Sequence, residues 1–220
     1  MPTIVIATHN RHKFRELKAL LNVPGVRWRS LAEYPGVPPV REHGRTFDAN
    51  AIAKARSVAK ATGCLALADD SGIEVEALGG APGVRSARFA GSHGNDQANN
   101  TKLLRLLAGL PPARRRARYR CTLALAGPSG FLALTRGAWS GRIARTPRGS
   151  RGFGYDPIFL VPKLRKTVAE LPARTKQRLS HRAAAARRMR PVLGHLVRST
   201  ATGSPRRSAG GARPARARAA

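Results

Sequence analysis

Acidic residues are scarce in this chain and unevenly placed. Against 41 Lys and Arg there are 11 Asp and Glu, and four of them, Asp69, Asp70, Glu74 and Glu76, fall in the run LADDSGIEVEAL. Two adjacent carboxylates at the end of an apolar run, followed by Ser71 and Gly72, offer hard oxygen ligands to a divalent cation. Glu42 and Asp48, in the loop and helix start upstream, are candidates to complete the oxygen set. The plain alternative is a turn whose Asp side chains bond local backbone. Glu74 and Glu76 alternate with apolar residues on one strand face, which predicts a solvent-facing stripe balanced by nearby arginines.

Three more groups could do chemistry. In THNRHKFRE, Thr8, Asn10, Lys13 and Glu16 span a strand-to-helix turn. Such a turn aims backbone N–H groups and a helix N-terminus at one spot, which suits phosphate, and Lys13 adds charge. An ordinary polar cap is the alternative, and the glycines of a nucleotide-binding P-loop are missing. In GSRGFGYDPIF, glycines flank Phe153 and Tyr155 before Asp156 and Pro157, so a flexible loop can offer a ring for stacking on a base, or return its aromatics to the core. In SHR, His181 and Arg182 follow Lys176 on a helical stretch, where lone basic residues are commonly surface.

The elements that must position these groups follow from periodicity. TIVIAT and CLALAD read as short buried strands, VRWRSL as another. KFRELKALL has Phe14, Leu17, Leu20 and Leu21 at helical spacing. TFDANAIAKARSVAKATG reads as a helix with Thr46 as N-cap and Gly63 as its stop. DQANNTKLLRLLAGL is helical up to Pro111. RYRCTLALAG and FLALTRGAW are joined by PSG, a hairpin signal. Residues 137–157, rich in Gly, Pro and Arg, read as a functional loop. KTVAEL carries a capping box, Thr167 with Glu170. From Thr175 to about Arg198 the pattern is helical, with Pro191 expected to kink or interrupt it. Strands and helices alternate before the hairpin: an α/β fold with a mixed sheet. Residues 199–220 are apolar-poor and low in complexity and read as a disordered tail, leaving 1–198 as the folded domain.

The net charge of +30 admits three partners: nucleic acid, none (a general basic drift), or a polyanionic small molecule. No zinc-finger spacing or aromatic-studded RNA-binding motif supports the first. Cys64 and Cys121 each sit in an apolar run and read as buried thiols. No run is long enough for a membrane span and no leader pattern precedes PTIVIAT, which predicts a cytosolic protein.

Taken in order, the blocks ATHNRHKFRE, EHGRTFDANAIAKA, LADDSGIEVEALGGAPGVRSARFAG, RARYRC, GFGYDPIF, KTVAEL and SHR resemble the noncanonical purine nucleoside triphosphate pyrophosphatases, the dITP/XTP pyrophosphatase or inosine triphosphatase family. The resemblance runs from Ile4 to about Leu196. It implies a two-lobed α/β fold with a central substrate cleft, a homodimer, and Mg²⁺-dependent hydrolysis of ITP, dITP or XTP to monophosphate and pyrophosphate. It makes Asp70 the general base and a metal ligand, Glu42 a second metal carboxylate, and Ser71 a substrate contact. Thr8, His9, Asn10, Arg11, His12 and Lys13 would hold the phosphates, with Lys54 reaching them from a helix. Phe153, Gly154, Tyr155, Asp156, Lys176, His181 and Arg182 would form the nucleoside site, with Asp69 in support. Three positions depart from the pattern: Ala49 stands where many members have Glu, Arg151 replaces a common Gly and Ala183 another. The competing readings are a basic nucleic-acid-binding protein without catalysis, using ARRRARYR and the tail, and a Maf-like nucleotide pyrophosphatase.

Overall fold

The computed structural model describes residues 1–40, 42–92 and 94–202. Seven strands form one sheet in the order β2-β1-β3-β4-β5-β6-β7. β1 (Thr3–Ile6), β2 (Arg27–Ser30) and the start of β3 (Leu65–Val75) run parallel. β4 (Arg116–Gly127), β5 (Gly130–Ile143), β6 (Phe159–Val161) and β7 (Lys166–Thr167) extend it antiparallel. The sheet is mixed, as expected.

The long strands β3, β4 and β5 pass through two lobes. In the first, α1 (Arg11–Leu21) and the C-terminal helix α5 (His181–Thr202) bury Leu67, Leu123 and Leu125 on one sheet face. On the other face α2 (Phe47–Thr62) packs Ala51, Ala55 and Ala59 against Ala66, Ala68, Ala124 and Ala126. Methyl groups on both sides let this helix lie close to the sheet. The second lobe closes around Ile73, Val75, Tyr119, Trp139 and Phe159, with Leu103 of α3 (Asp96–Leu106). Among the described residues no helix is long and apolar enough to cross a membrane.

Thr46 caps α2 by accepting the N–H of Ala49, and Gly63 ends it in the left-handed region. The Thr167–Glu170 capping box forms on a 3₁₀ turn. Four details differ from the sequence reading. DDSG is no turn: β3 runs unbroken through it, because β4 pairs with every residue from Ala66 to Val75. Residues 137–143 are strand, and Gly137 is there because a Cβ would collide with the His181 carbonyl where α5 crosses β5. The helical break falls at Ser180, between α4 (Ala173–Leu179) and α5, and Pro191 lies inside α5. Ser180 accepts the N–H of Ala183 and so starts a new helix. Pro191 forfeits one backbone bond, a cost of about 3 kcal/mol, and buried Met189 and Leu193 on either side offset it. Finally, α5 continues to Thr202, past the expected boundary at 198; the rest of the expected tail, 203–220, lies outside the described residues.

Candidate active site

β1 ends at Ile6, while its neighbour β3 runs on to Val75. Where β1 has ended, a cleft of about 720 Å³ opens along β3, between the lobes. Ligands in α/β sheets commonly bind at such a point, where neighbouring chains part.

The strand's period of two decides the roles of the Asp pair, because adjacent side chains leave on opposite faces. Asp69 faces α1 and α5. It is fully buried beside Lys13 Nζ (3.1 Å) and Arg182 Nε (3.1 Å), and the Cys121 thiol donates to it (3.3 Å). Burial would raise its pKa, but the two cations and Lys54 outweigh burial and hold it well below the usual carboxylate range. It does not line the cleft.

Asp70 faces α2 and the cleft. It is 5 % exposed, and its buried Oδ2 has no hydrogen-bond partner. Burial, then the Glu42 carboxylate, push its pKa up to about 6 against the pull of Lys54 and Lys13. Glu42 itself is held below its ordinary value: burial opposes this, but Lys54 (2.5 Å), Lys13 and Arg88 prevail. Lys54 also donates to the Asp69 carbonyl (3.3 Å), so it ties α2, the Glu42 loop and β3 together. Asp48, a candidate ligand by sequence, turns away to Thr122 Oγ1 (2.8 Å) and Arg136 and leaves the site.

At the phosphate turn, Asn10 caps α1 by accepting the N–H groups of His12 (2.9 Å) and Lys13 (3.0 Å), while its own N–H donates to Thr8 Oγ1. Thr8, His9, Asn10, His12 and Lys13 line the cleft; Arg11 does not and is exposed. The local cap and the cationic lining are therefore both present.

At the other end, Phe153, Gly154, Tyr155, Asp156, His181 and Arg182 line the cleft with Ser71. Phe153 stacks on His12 (centroids 5.8 Å apart), with Lys176 Nζ 4.6 Å from its ring. Lys176 reaches the site through Asp156 (2.5 Å). Tyr155 returns to the core, donating to the Ser86 carbonyl (2.8 Å). Arg182 spends three of its five N–H groups on Asp69, Glu16 and the Ser71 hydroxyl, which leaves two. Burial, then Arg182, depress the His181 pKa well below 6.5, so its imidazole is neutral. Glu74 and Glu76 pair with Arg120 and Arg116, as expected, but only Glu74 is on the strand: β3 ends at Val75 and Glu76 begins a 3₁₀ turn.

Sequence reasoning missed three contributors. Asp96 accepts the N–H of Gly154 (2.6 Å), and Asn100 donates to its carbonyl (3.1 Å), so α3 grips the Phe153 loop from one side. Their i, i+4 spacing was the available signal. Tyr119 on β4 stacks on His181 and donates to Asp156 (3.1 Å). Its inward register beside Cys121 could have flagged it.

Residues 4–192 match the Ham1 family. A protein named dITP/XTP pyrophosphatase from Desulforamulus reducens is 49% identical over 88% of this chain and 96% of its own. One of the same name from Leifsonia xyli is 50% identical over 90% of this chain and 98% of its own. Among solved structures, a HAM1 protein from Coxiella burnetii superposes with a TM-score of 0.81 at 42% identity, covering 89% of this chain and all of that one.

Proposed function

This chain belongs to the Ham1 family, and from that premise we propose how its cleft turns over a nucleotide. The activity is hydrolysis of noncanonical purine nucleoside triphosphates, such as dITP and XTP, to the monophosphate and pyrophosphate. Neither a nucleic-acid-binding protein without catalysis nor a Maf-like pyrophosphatase is favoured by these relatives.

One observation carries the mechanism: a buried carboxylate with an unpartnered oxygen, Asp70, facing a cleft whose walls bring Lys13 and Lys54. Mg²⁺ fits the donors present. Asp70 and Glu42 offer only oxygen, and no cluster of three ligating side chains exists among the described residues. A cation that binds through one or two carboxylates, waters and substrate phosphates needs no more. When bound there, it would neutralise phosphate oxygens and favour ionisation of a coordinated water. Asp70 takes the proton of the water attacking the α-phosphorus. Lys13, Lys54 and the turn from Thr8 to Asn10 stabilise the departing pyrophosphate. Asp69 keeps Lys13 and Arg182 in place without meeting substrate.

Base choice follows from donors. Hypoxanthine and xanthine carry an oxygen at C6, an acceptor; adenine carries an amino group. Arg182 can only donate, so adenine leaves its remaining N–H groups unpaired, at about 1–3 kcal/mol for a buried donor. Phe153 stacks on either base and does not discriminate. Guanine shares the C6 oxygen, so its rejection lies at C2. We take the enzyme to work as a homodimer, which the family resemblance implies, and in the cytoplasm, where the nucleotide pool it acts on is.

The test is pyrophosphate release from ITP, dITP, XTP, GTP and ATP, with Mg²⁺ and with a chelator. The expected kcat/KM for ITP or dITP exceeds that for ATP by at least about a hundredfold, and the chelator abolishes turnover. Equal rates on ITP and ATP would sink the base-reading assignment, and full activity in chelator would remove the metal.

A further inference from the structure

Tyr119 is 6% exposed and sits at the centre of the nucleoside end of the cleft. Its ring packs against two others: it stacks on His181, with centroids 4.6 Å apart and planes 11° from parallel, and meets Phe159 at 4.4 Å in a tilted contact. Its hydroxyl donates to Asp156 Oδ1 at 3.1 Å. The other oxygen of that carboxylate accepts the N–H of Phe153 (3.1 Å) and the Lys176 ammonium (2.5 Å). Gly152 has no Cβ because one would collide with this same Oδ2. One phenol therefore joins the two segments that meet the base: the Phe153 loop, through Asp156, and the start of α5, through His181.

We propose that Tyr119 is a positioning residue for base recognition, its hydroxyl fixing the Asp156 carboxylate that aims Phe153 and Lys176, and its ring fixing the plane of His181. The proposal rests on the cleft being a purine site. A stacking ring and a hydrogen-bonding edge discriminate only if their mutual distance is held to a fraction of an ångström. Here a loop and a helix start of different origin, 25 residues apart between Asp156 and His181 by number, are held by one side chain on a central strand. The groups that Tyr119 touches, Asp156, His181 and Phe159, belong to the nucleoside half, and the phosphate turn is met only at second hand, where Phe153 stacks on His12, so its main influence falls on the nucleoside half. Burial, then Asp156, raise the phenol's pKa well above 10, which keeps it a donor.

Tyr119→Phe keeps the ring and deletes the hydroxyl. We would measure kcat and KM for ITP and ATP, and the Kd of IMP and of inorganic pyrophosphate by calorimetry. The expected result is a KM for ITP and a Kd for IMP raised roughly tenfold, as for loss of a hydrogen bond to a charged acceptor. The ITP-to-ATP selectivity shrinks, while kcat and pyrophosphate affinity stay within about twofold. In an Asp156→Ala background, which leaves the hydroxyl no acceptor, the same change should have little further effect, because the contact it deletes is already gone. Unchanged KM and selectivity in Tyr119→Phe would overturn the proposal, as would equal loss of IMP and pyrophosphate binding or full additivity with Asp156→Ala. A wild-type enzyme unable to tell ITP from ATP would instead refute the base-reading assignment on which the proposal rests.

Discussion

Replacing Asp70 by Asn should stop the enzyme and, without metal, stabilise it. The carboxylate titrates at about 6 in the folded protein against an ordinary 3.8. That difference, about 2 pKa units, corresponds to about 3 kcal/mol favouring the protonated form in the fold. Above pH 6 the group is ionised in both folded and unfolded chains, and the native state carries the whole penalty. As pH falls from 6 towards 4, only the native state takes up the proton, and the penalty disappears. Asn is neutral throughout, so it escapes the penalty at pH 7.5 but brings a buried amide that offsets about 1–3 kcal/mol of the gain. The net gain is then at most about 2 kcal/mol, at roughly 2–4 °C of Tm per kcal/mol for a chain of this size. Differential scanning calorimetry in chelator, from pH 5 to 8, reads it: the variant's Tm relative to wild type should rise with pH. With Mg²⁺ and ITP, kcat should fall ~10²–10⁴-fold for loss of a general base. A Tm gap independent of pH would refute the buried, unpaired carboxylate; more than a tenth of wild-type kcat would refute the base.

The neighbouring carboxylate should behave oppositely. Asp69→Asn leaves Lys13 and Arg182 without their buried partner and should lose about 3–5 kcal/mol. Because the Asp69 pKa is depressed, its stabilising share is present above the unfolded value near 3.8, so chemical denaturation should show a constant loss between pH 5 and 8. Ser180→Ala removes the cap of α5 and should lower stability by about 1 kcal/mol, read as a melting shift with kcat retained. Deleting residues 203–220, rich in Arg and poor in apolar side chains, should leave Tm and ITP turnover unchanged; a clearly lower Tm would show that the segment packs. Should deletion also flatten the salt dependence of DNA binding, the segment contributes phosphate contacts.

The sequence by itself determined the order of elements, because caps and periodicity are local: Thr46 and Gly63 bound α2, and Asn10 begins α1 beside the phosphate turn. It also determined the family, since the types and order of the blocks suffice for that likeness. It did not determine what each acid does. Read as the end of an apolar run, DDSG offered both carboxylates to one cation; only the pairing of β4 along Ala66–Val75 carries the strand through it and sends the two side chains to opposite faces. Nor could it place the break between α4 and α5, where a local proline rule pointed to Pro191 and long-range packing of Met189 and Leu193 overrode it. The same holds for charge. Asp69 is held towards its ionised form because Lys13 and then Arg182, the latter 113 residues away, arrive beside it, and Asp70 is pushed towards protonation because α2 and Glu42 close over it without an available cation at Oδ2. A pKa depends on burial and neighbours, and both are properties of the folded chain that no run of adjacent residues contains.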